Sequence, residues 1–358
     1  MRFVPWLTLT LVAIAAFLTF APNLLLHFIL DLVISYSLIV TVASGLAAIA
    51  ATTSVVRARN ADSRRIVSLA VLSVSILLLA VTVQREWLSL ARIDFDFTAD
   101  GVRLSGTLYK PLGSGPFPAV VMAHGSPPLP RRLYAVWADQ LTRAGYAVLI
   151  FDKRGTGLSQ GSYDVENNAA RAVLERHGKD LAAAIDALAD DTRINPLRIS
   201  IVGISQAGWT VPAALSHTKH LRSFVLISGP VASTAEESAY SNSTGELAGS
   251  DWVRRRAKAD AAVARTLPTG FDPVPLLRAS KVRGHWIFGT RDASIPVTRS
   301  LQNLNGLVRE GQPYSFEVLN DADHLLLNWQ SGVPDFDKRM WSSLKRELDN
   351  AAIGSSPH

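Results

Sequence analysis

Residues 199–208 read Ile-Ser-Ile-Val-Gly-Ile-Ser-Gln-Ala-Gly, an apolar run that leads into Gly203, Ser205 and Ala207 at alternate positions. A serine hydroxyl is a weak nucleophile. It attacks a carbonyl only when it is exposed, close to a base and faced by donors for the developing oxyanion. A sharp turn from strand into helix supplies the exposure. It also crowds the backbone, so the residues two before and two after the serine must be small. Gly203 and Ala207 meet that demand, which makes Ser205 the candidate nucleophile. Gly-x-Ser-x-small alone is a weak motif; its place between an apolar strand and a helix strengthens it.

A second apolar run, 118–123, ends in His124-Gly125-Ser126. With no side chain at Gly125, the backbone can approach a reacting carbonyl, and the amides of Ser126 and Gln206 are the candidate oxyanion donors. Losing one such donor typically costs about 2.7–4 kcal/mol of transition-state stabilisation. His124 reads as shaping this loop through a hydrogen bond, not as a base.

The acid and base are expected to follow the serine in the order Ser, Asp, His. Asp292 lies in a turn after the buried run 286–288, and His324 lies in the loop after the run 316–319. Neutral His324 would take the proton from Ser205 and return it to the leaving group, while Asp292 would fix its tautomer and stabilise the imidazolium. Asp321 and Asp323 are closer in sequence to His324 but read as solvated loop acids. Among the other histidines, His285 starts a strand at the wrong edge of the sheet, and His217 and His220 follow the nucleophile helix. His177 reads as a surface residue of a helix, His27 lies in the apolar N-terminal region and His358 ends the chain. No His/Asp/Glu cluster has metal-ligand spacing, and neither a metal nor a cofactor is expected.

These residues need a scaffold that brings strand ends together. The continuous apolar runs 118–123, 147–151, 199–202, 224–227, 286–288 and 316–319 are what strands buried on both faces look like. Helical stretches at 133–144, 169–189 and 206–216 separate several of them. The alternation predicts an α/β fold, a mostly parallel twisted sheet with helices on both faces, spanning 93–350. Alternating residues at 93–97 and 102–109 predict two exposed antiparallel strands turning at Asp100-Gly101. Between about 230 and 280 there is no buried strand, and this interval reads as a cap or lid insertion. Its Arg254-Arg255-Arg256 run reads as a solvated helix face.

Together, His124-Gly125-Ser126, the stretch Asp152-Lys153-Arg154-Gly155-Thr156-Gly157-Leu158-Ser159, the turn at Ser205, Asp292 and His324 resemble the α/β-hydrolase superfamily over roughly 93–348. The Gly-x-Ser-Gln-small-Gly form is similar to bacterial members grouped with serine aminopeptidases, acyl-CoA thioesterases and small esterases. The resemblance implies the fold and the triad, and for the stretch from Asp152 a supporting role without chemistry. It implies no substrate. Ala207, where glycine is commoner, is a departure small enough for the turn.

Charge and hydropathy divide the 358 residues unevenly. Residues 1–92 hold seven arginines against Asp31, Asp62 and Glu86, a local +4 of the net +6. The remainder carries +2, which points away from nucleic-acid binding. Stretches at about 4–20, 33–53 and 66–84 approach the ~20 apolar residues of a membrane span. A membrane region of about three helices over 1–90 is therefore expected, in contact with lipid. Arg57, Arg59, Arg64 and Arg65 lie between the second and third stretches, and the link between the first and second has no Lys or Arg. Positive loops stay inside, which predicts a multi-pass protein of the cell membrane with its catalytic domain on the outer face. With no cysteine in the chain, disulfides, thiolate nucleophiles and Cys-ligated metals are excluded. The expected activity is hydrolysis of a small or lipidic ester or thioester through an acyl-enzyme on Ser205. A peptidase using the same residues is the alternative, and a non-catalytic membrane-anchored binding protein is a third reading. Oligomeric state is not legible.

Overall fold

The computed structural model describes residues 90–245, 252–328 and 335–353. The three expected membrane spans lie outside the described residues, and among the described residues no helix is long and apolar enough to cross a membrane. The chain divides into two compact units, residues 1–91 with 132–137 and residues 92–131 with 138–358. In the first, the described residues are the beginning of β1 and the turn that leads into helix α1 (Ala135–Arg143).

The second unit is built on an eight-stranded sheet, ordered β1-β4-β6-β5-β7-β8-β9-β10. Its strands are β1 (Leu90–Asp94), β4 (Gly106–Pro111), β5 (Phe117–Ala123), β6 (Ala147–Phe151), β7 (Ile194–Ile204), β8 (Leu221–Ile227), β9 (Arg283–Gly289) and β10 (Tyr314–Leu319). From β6 to β10 all neighbours run parallel, and β4 pairs antiparallel with β6. The apolar runs read from the sequence are these strands. Alternate residues Ala119, Val121, Ala123, Ile199 and Ile201 enter one core with Leu181, Ile185 and Val211. Val120, Met122 and Val202, pointing the other way, are equally buried. Each such side chain taken fully from water contributes about 1.5–3 kcal/mol, and burial of both faces explains why the runs do not alternate.

The helices of this unit after α1 are α2 (Arg171–Ala189), α3 (Ala207–Ala214), α4 (Thr234–Thr244), α5 (Trp252–Arg265), α6 (Val274–Ala279), α7 (Val297–Arg309) and α8 (Lys338–Ile353). Within the interval 230–280 the described residues include the helices α4, α5 and α6 and no strand. Helix α4 starts with a capping box: Ser233 Oγ accepts from Glu236 N, and the Glu236 carboxylate accepts from Ser233 N. Arg299 of α7 pairs with the same carboxylate at 3.0 Å.

The expected pair of exposed strands is corrected. Asp100 and Gly101 do turn the chain, with φ of 46° and 75°, but they join only the short strands β2 (Phe97–Ala99) and β3 (Val102–Leu104). The chain then leaves the hairpin, and β4 crosses to β6 with Gly106 opposite Phe151 and Tyr109 opposite Val148. Leu104 and Leu108 are fully buried. Half-buried alternation in the sequence therefore reflects burial against two different partners, not one solvent-facing ribbon. The remaining short strands, β11 (Leu327–Asn328) and β12 (Asp335–Phe336), pair with each other.

Strand order fixes where a site can form. The chain passes from β5 outward to β6 and then returns past it to β7. The crevice beyond the carboxyl ends of β5 and β7 is thus the topological switch point, where open α/β sheets bind ligands. Ala123 lies opposite Gly203 in this pairing, so His124-Gly125-Ser126 and Ile204-Ser205-Gln206 leave the sheet side by side.

Candidate active site

Ser205 sits between β7 and α3 with φ of 54°, in the left-handed region that L-residues other than Asn and Asp seldom adopt. Its N–H donates to Ile227 O at 2.9 Å and its carbonyl accepts from Gly208 N at 2.9 Å. The turn is tight because Gly203 has no side chain. A Cβ there would lie 2.5 Å from Ala207 Cβ and 2.7 Å from Leu226 Cδ2. The small-residue rule applied to the sequence is therefore a packing requirement, imposed on residue 203 by Ala207 and Leu226.

Asp292 and His324 come together by a similar close approach. At the end of β9, a Cβ on Gly289 would meet Ala322 O at 2.3 Å and Asp323 O at 2.6 Å. Glycine lets the loop after β10 cross the end of β9. Three bonds tie the two turns: Thr290 N to Leu319 O, Arg291 N to Ala322 O and Asp321 N to Thr290 Oγ1, each 2.9 Å. His324 Nδ1 then lies 2.8 Å from Asp292 Oδ2, and its Nε2 lies 3.0 Å from Ser205 Oγ. With a carboxylate at Nδ1, the proton resides on Nδ1 and Nε2 faces the hydroxyl as acceptor. The other Asp292 oxygen accepts from Ser294 N at 2.9 Å and Ile295 N at 3.1 Å. Of the acids weighed from the sequence, Asp292 stands at the histidine; Asp323 Oδ1 instead accepts from Leu325 N at 3.0 Å.

Burial lowers the pKa of His324, but the Asp292 charge and hydrogen bond, aided by Asp323 and Glu237, outweigh it and hold the ring above 6.5. Asp292 is shut away from solvent, while His324 keeps 20% of its side-chain surface open. The arrangement can take a proton from the serine, hold it as imidazolium against a buried carboxylate and return it to a leaving group.

Helices α4 and α5 brace the acid turn. Tyr240 Oη donates to Asp292 O at 2.9 Å, Thr244 Oγ1 donates to Ala293 O, and Arg256 donates to Thr290 O. The run expected to be a solvated face thus supplies, through Arg256, a bond to the backbone just before Asp292.

On the other flank, Gly125 places its Cα so that a Cβ would stand 3.6 Å from Ser205 Cβ. Among the described residues, no carbonyl takes the Ser126 or Gln206 amide. His124 is buried, stacks on Phe151 with ring centroids 5.6 Å apart, and is held neutral by burial and by the nearby Lys153. The stretch from Asp152 braces this side. Asp152 accepts from Arg131 and Leu158 N, and Arg154 pairs with buried Asp180 through two bonds.

Two residues escaped the sequence reading. Lys153 is buried among Gly125, Ser126, Tyr163 and Gln206. His177 is not a surface residue: its ring stacks on Tyr163 and joins His124, Lys153 and Gln206 around a cavity of about 20 Å³. The sequence reading gave the stretch from Asp152 a supporting role without singling out Lys153. The available signal was its position, two residues past a strand whose five residues are all buried. His285 is structural, bonded to Ser315 Oγ at 2.8 Å and Ser343 Oγ at 3.2 Å. His220 bonds Asp186 at 3.0 Å, away from these groups. Among the described residues, no cluster of three His, Cys, Asp or Glu residues could hold a metal.

Comparison with known proteins places the chain among hydrolases of this fold. The model of the X-Pro dipeptidyl-peptidase (S15) family matches residues 100–302. Thiohydrolase aneE of Aspergillus aculeatus is 29% identical over 158 residues, 44% of this chain and 47% of its own length. The quorum-quenching protein AidA of Acinetobacter baumannii is 31% identical over 137 residues, 38% of this chain and 43% of its own. The chain thus spans less than half the length of these relatives. The solved esterase Pf2001 of Pyrococcus furiosus superposes with a TM-score of 0.53 at 21% identity, covering 73% of this chain and 93% of that one.

Proposed function

The chain belongs to the S15 peptidase family of the α/β-hydrolase superfamily, and from that premise we propose that it is a serine hydrolase cleaving an ester or thioester through an acyl-enzyme on Ser205. The observation that carries this is the continuous relay from Ser205 Oγ through His324 to Asp292, with separations of 3.0 and 2.8 Å.

In the proposed sequence His324 Nε2 takes the hydroxyl proton as Ser205 Oγ bonds to the carbonyl carbon. The negative charge that moves to the carbonyl oxygen is met by the amides of Ser126 and Gln206. Collapse expels the alcohol or thiol with the proton from His324. Water, activated by the same ring, then hydrolyses the acyl-serine. Asp292 holds Nδ1–H throughout and offsets the imidazolium charge.

The family match over residues 100–302 favours a second reading, a peptidase acting by the same residues. The named activities of thiohydrolase aneE and esterase Pf2001 support an ester or thioester. The apolar stretches and arginine placement in residues 1–92 support a membrane-anchored enzyme whose catalytic domain faces outward and meets small or lipidic substrates.

A fluorophosphonate probe tests the nucleophile, and a panel of activated esters, acyl thioesters and aminoacyl amides tests the acyl class. The expected result is labelling and ester or thioester turnover that Ser205→Ala reduces by about 10⁶-fold. Labelling that survives the substitution removes Ser205 from the role. Preference for the amides selects the peptidase.

A further inference from the structure

Lys153 lies two residues past the end of β6 and is 7% exposed. Among the described residues no carboxylate bonds to it. Its ammonium donates instead to three amide oxygens: Gly125 O, Ser126 O at 3.1 Å and Gln206 Oε1 at 3.3 Å. Tyr163 completes the shell, its ring centroid 5.0 Å from Nζ and its hydroxyl donating to Ser126 O. Gln206 Nε2 donates to Asn168 O at 2.9 Å, which turns the side-chain oxygen toward the lysine.

The peptide unit joining Gly125 to Ser126 is planar, so its C=O and N–H point in opposite directions. A donor fixed on Gly125 O therefore sets the direction of the Ser126 N–H. A cation on the carbonyl also polarises the amide and makes its N–H a stronger donor. Gln206, whose side chain meets the same ammonium, supplies the second oxyanion amide. We infer that Lys153 is a positioning residue for the oxyanion hole, tying the loop after β5 to the nucleophile turn and aiming the Ser126 N–H at the reacting oxygen. The inference rests on the serine-hydrolase reading.

The charge state matters because an ammonium has three N–H donors to share among the three amide oxygens and Tyr163 Oη at 3.4 Å. A neutral amine has two donors and turns a lone pair toward one of these oxygens. The titratable groups around it are His124 at the end of β5, His177 on α2 and Tyr163 on the intervening loop; Asp180 lines the same cavity but is paired with Arg154. Both histidines are held neutral by burial and by neighbouring cations that include this lysine. Burial pushes Lys153 itself down to about 7, so the clamp loosens as pH rises through that region.

The test compares full-length wild type, Lys153→Met and Lys153→Arg on an activated ester, counting only turnover that Ser205→Ala abolishes. In Lys153→Met, kcat falls by about 10–100-fold, the scale of a misaimed catalytic group, while KM stays within about threefold. Affinity for a trifluoromethyl ketone, which forms a tetrahedral oxyanion on the serine, weakens by a similar factor. Arginine keeps its charge at all working pH, so Lys153→Arg retains neutral-pH turnover and loses the alkaline decline of wild-type kcat/KM. A folded Lys153→Met with kcat within twofold of wild type, or with the loss confined to KM, overturns the inference. If that variant does not fold, a wild-type profile level to about pH 10, or an unchanged alkaline limb in Lys153→Arg, overturns it. A wild type inert to every ester, or an active Ser205→Ala, overturns the underlying reading instead.

Discussion

Two buried charges flank the Ser205 turn, and they are stabilised in opposite ways. Asp292, past the end of β9, gathers donors: the Ser294 and Ile295 amides and His324 Nδ1. Lys153, past the end of β6, gathers acceptors: two backbone carbonyls and the Gln206 side chain. Each thus meets the hydrogen-bonding demand of a buried ion. The difference lies in the partners' charge. In the proposed reaction Asp292 faces a ring that becomes a cation when the serine gives up its proton. Lys153 faces only dipoles and neutral histidines, so desolvation acts on it unopposed. Dipoles satisfy a charge without fixing it, whereas a charged partner fixes it. The first arrangement is titratable near neutrality.

The sharpest way to break this comparison is on rate. Asp292→Asn is expected to lower kcat by about 10⁴-fold, because the amide stabilises the wrong histidine tautomer. Lys153→Met should cost about 10–100-fold. Steady-state kinetics that rank the two the other way would dissolve the distinction.

The pH dependence of rate and of stability should part company at Lys153. Below its raised pKa, His324 is an imidazolium and cannot accept the serine proton, so kcat/KM falls as pH drops through that value. At Lys153 the rate is expected to decline as pH rises, and there stability runs the other way. Lys153 titrates at about 7 in the folded protein and at about 10.4 when unfolded. Between those values the unfolded chain binds the extra proton, so stability rises with pH across the window. Melting curves at several pH values from 7.5 to 10 should show this gain in wild type and lose it in Lys153→Met.

The smallest effect concerns the brace on Asp292. Tyr240→Phe removes one hydroxyl from the carbonyl of Asp292, at a cost of about 1 kcal/mol. Urea denaturation measures it, and turnover should change only a few-fold. A loss near that of Asp292→Asn would mean that the acid depends on its helical brace for position.

Much of this site was legible because its constraints are local. Gly203, Ser205 and Ala207 encode one turn, and strand runs with both faces buried announce themselves as continuous apolar stretches. Asp292 and His324 could be placed because each follows such a strand. The exposed-hairpin reading failed at Ser105, where the chain changes partners. Alternation records that a residue is half-buried but not against what. Lys153 was missed for a related reason. Its environment comes from Gly125, Ser126 and Gln206, which are distant in sequence, and beside Asp152 and Arg154 it looks like ordinary surface charge. His177 was misread because a helix of mixed composition does not show which of its polar residues faces inward. The arginine pattern of residues 57–65 speaks to membrane orientation and falls outside the described residues.

The packing at Gly203 has a consequence for how such a protein can be altered. Gly203 is held small by Leu226, a residue of the neighbouring strand whose methyl group occupies the space that a larger residue 203 would need. Trimming Leu226 would leave Ser205, His324 and Asp292 in place and still remove packing from beneath the turn that holds Ser205. A mutational library that spared all residues facing the crevice but varied Leu226 would be a library of active-site variants, with the changed residue hidden in the sheet.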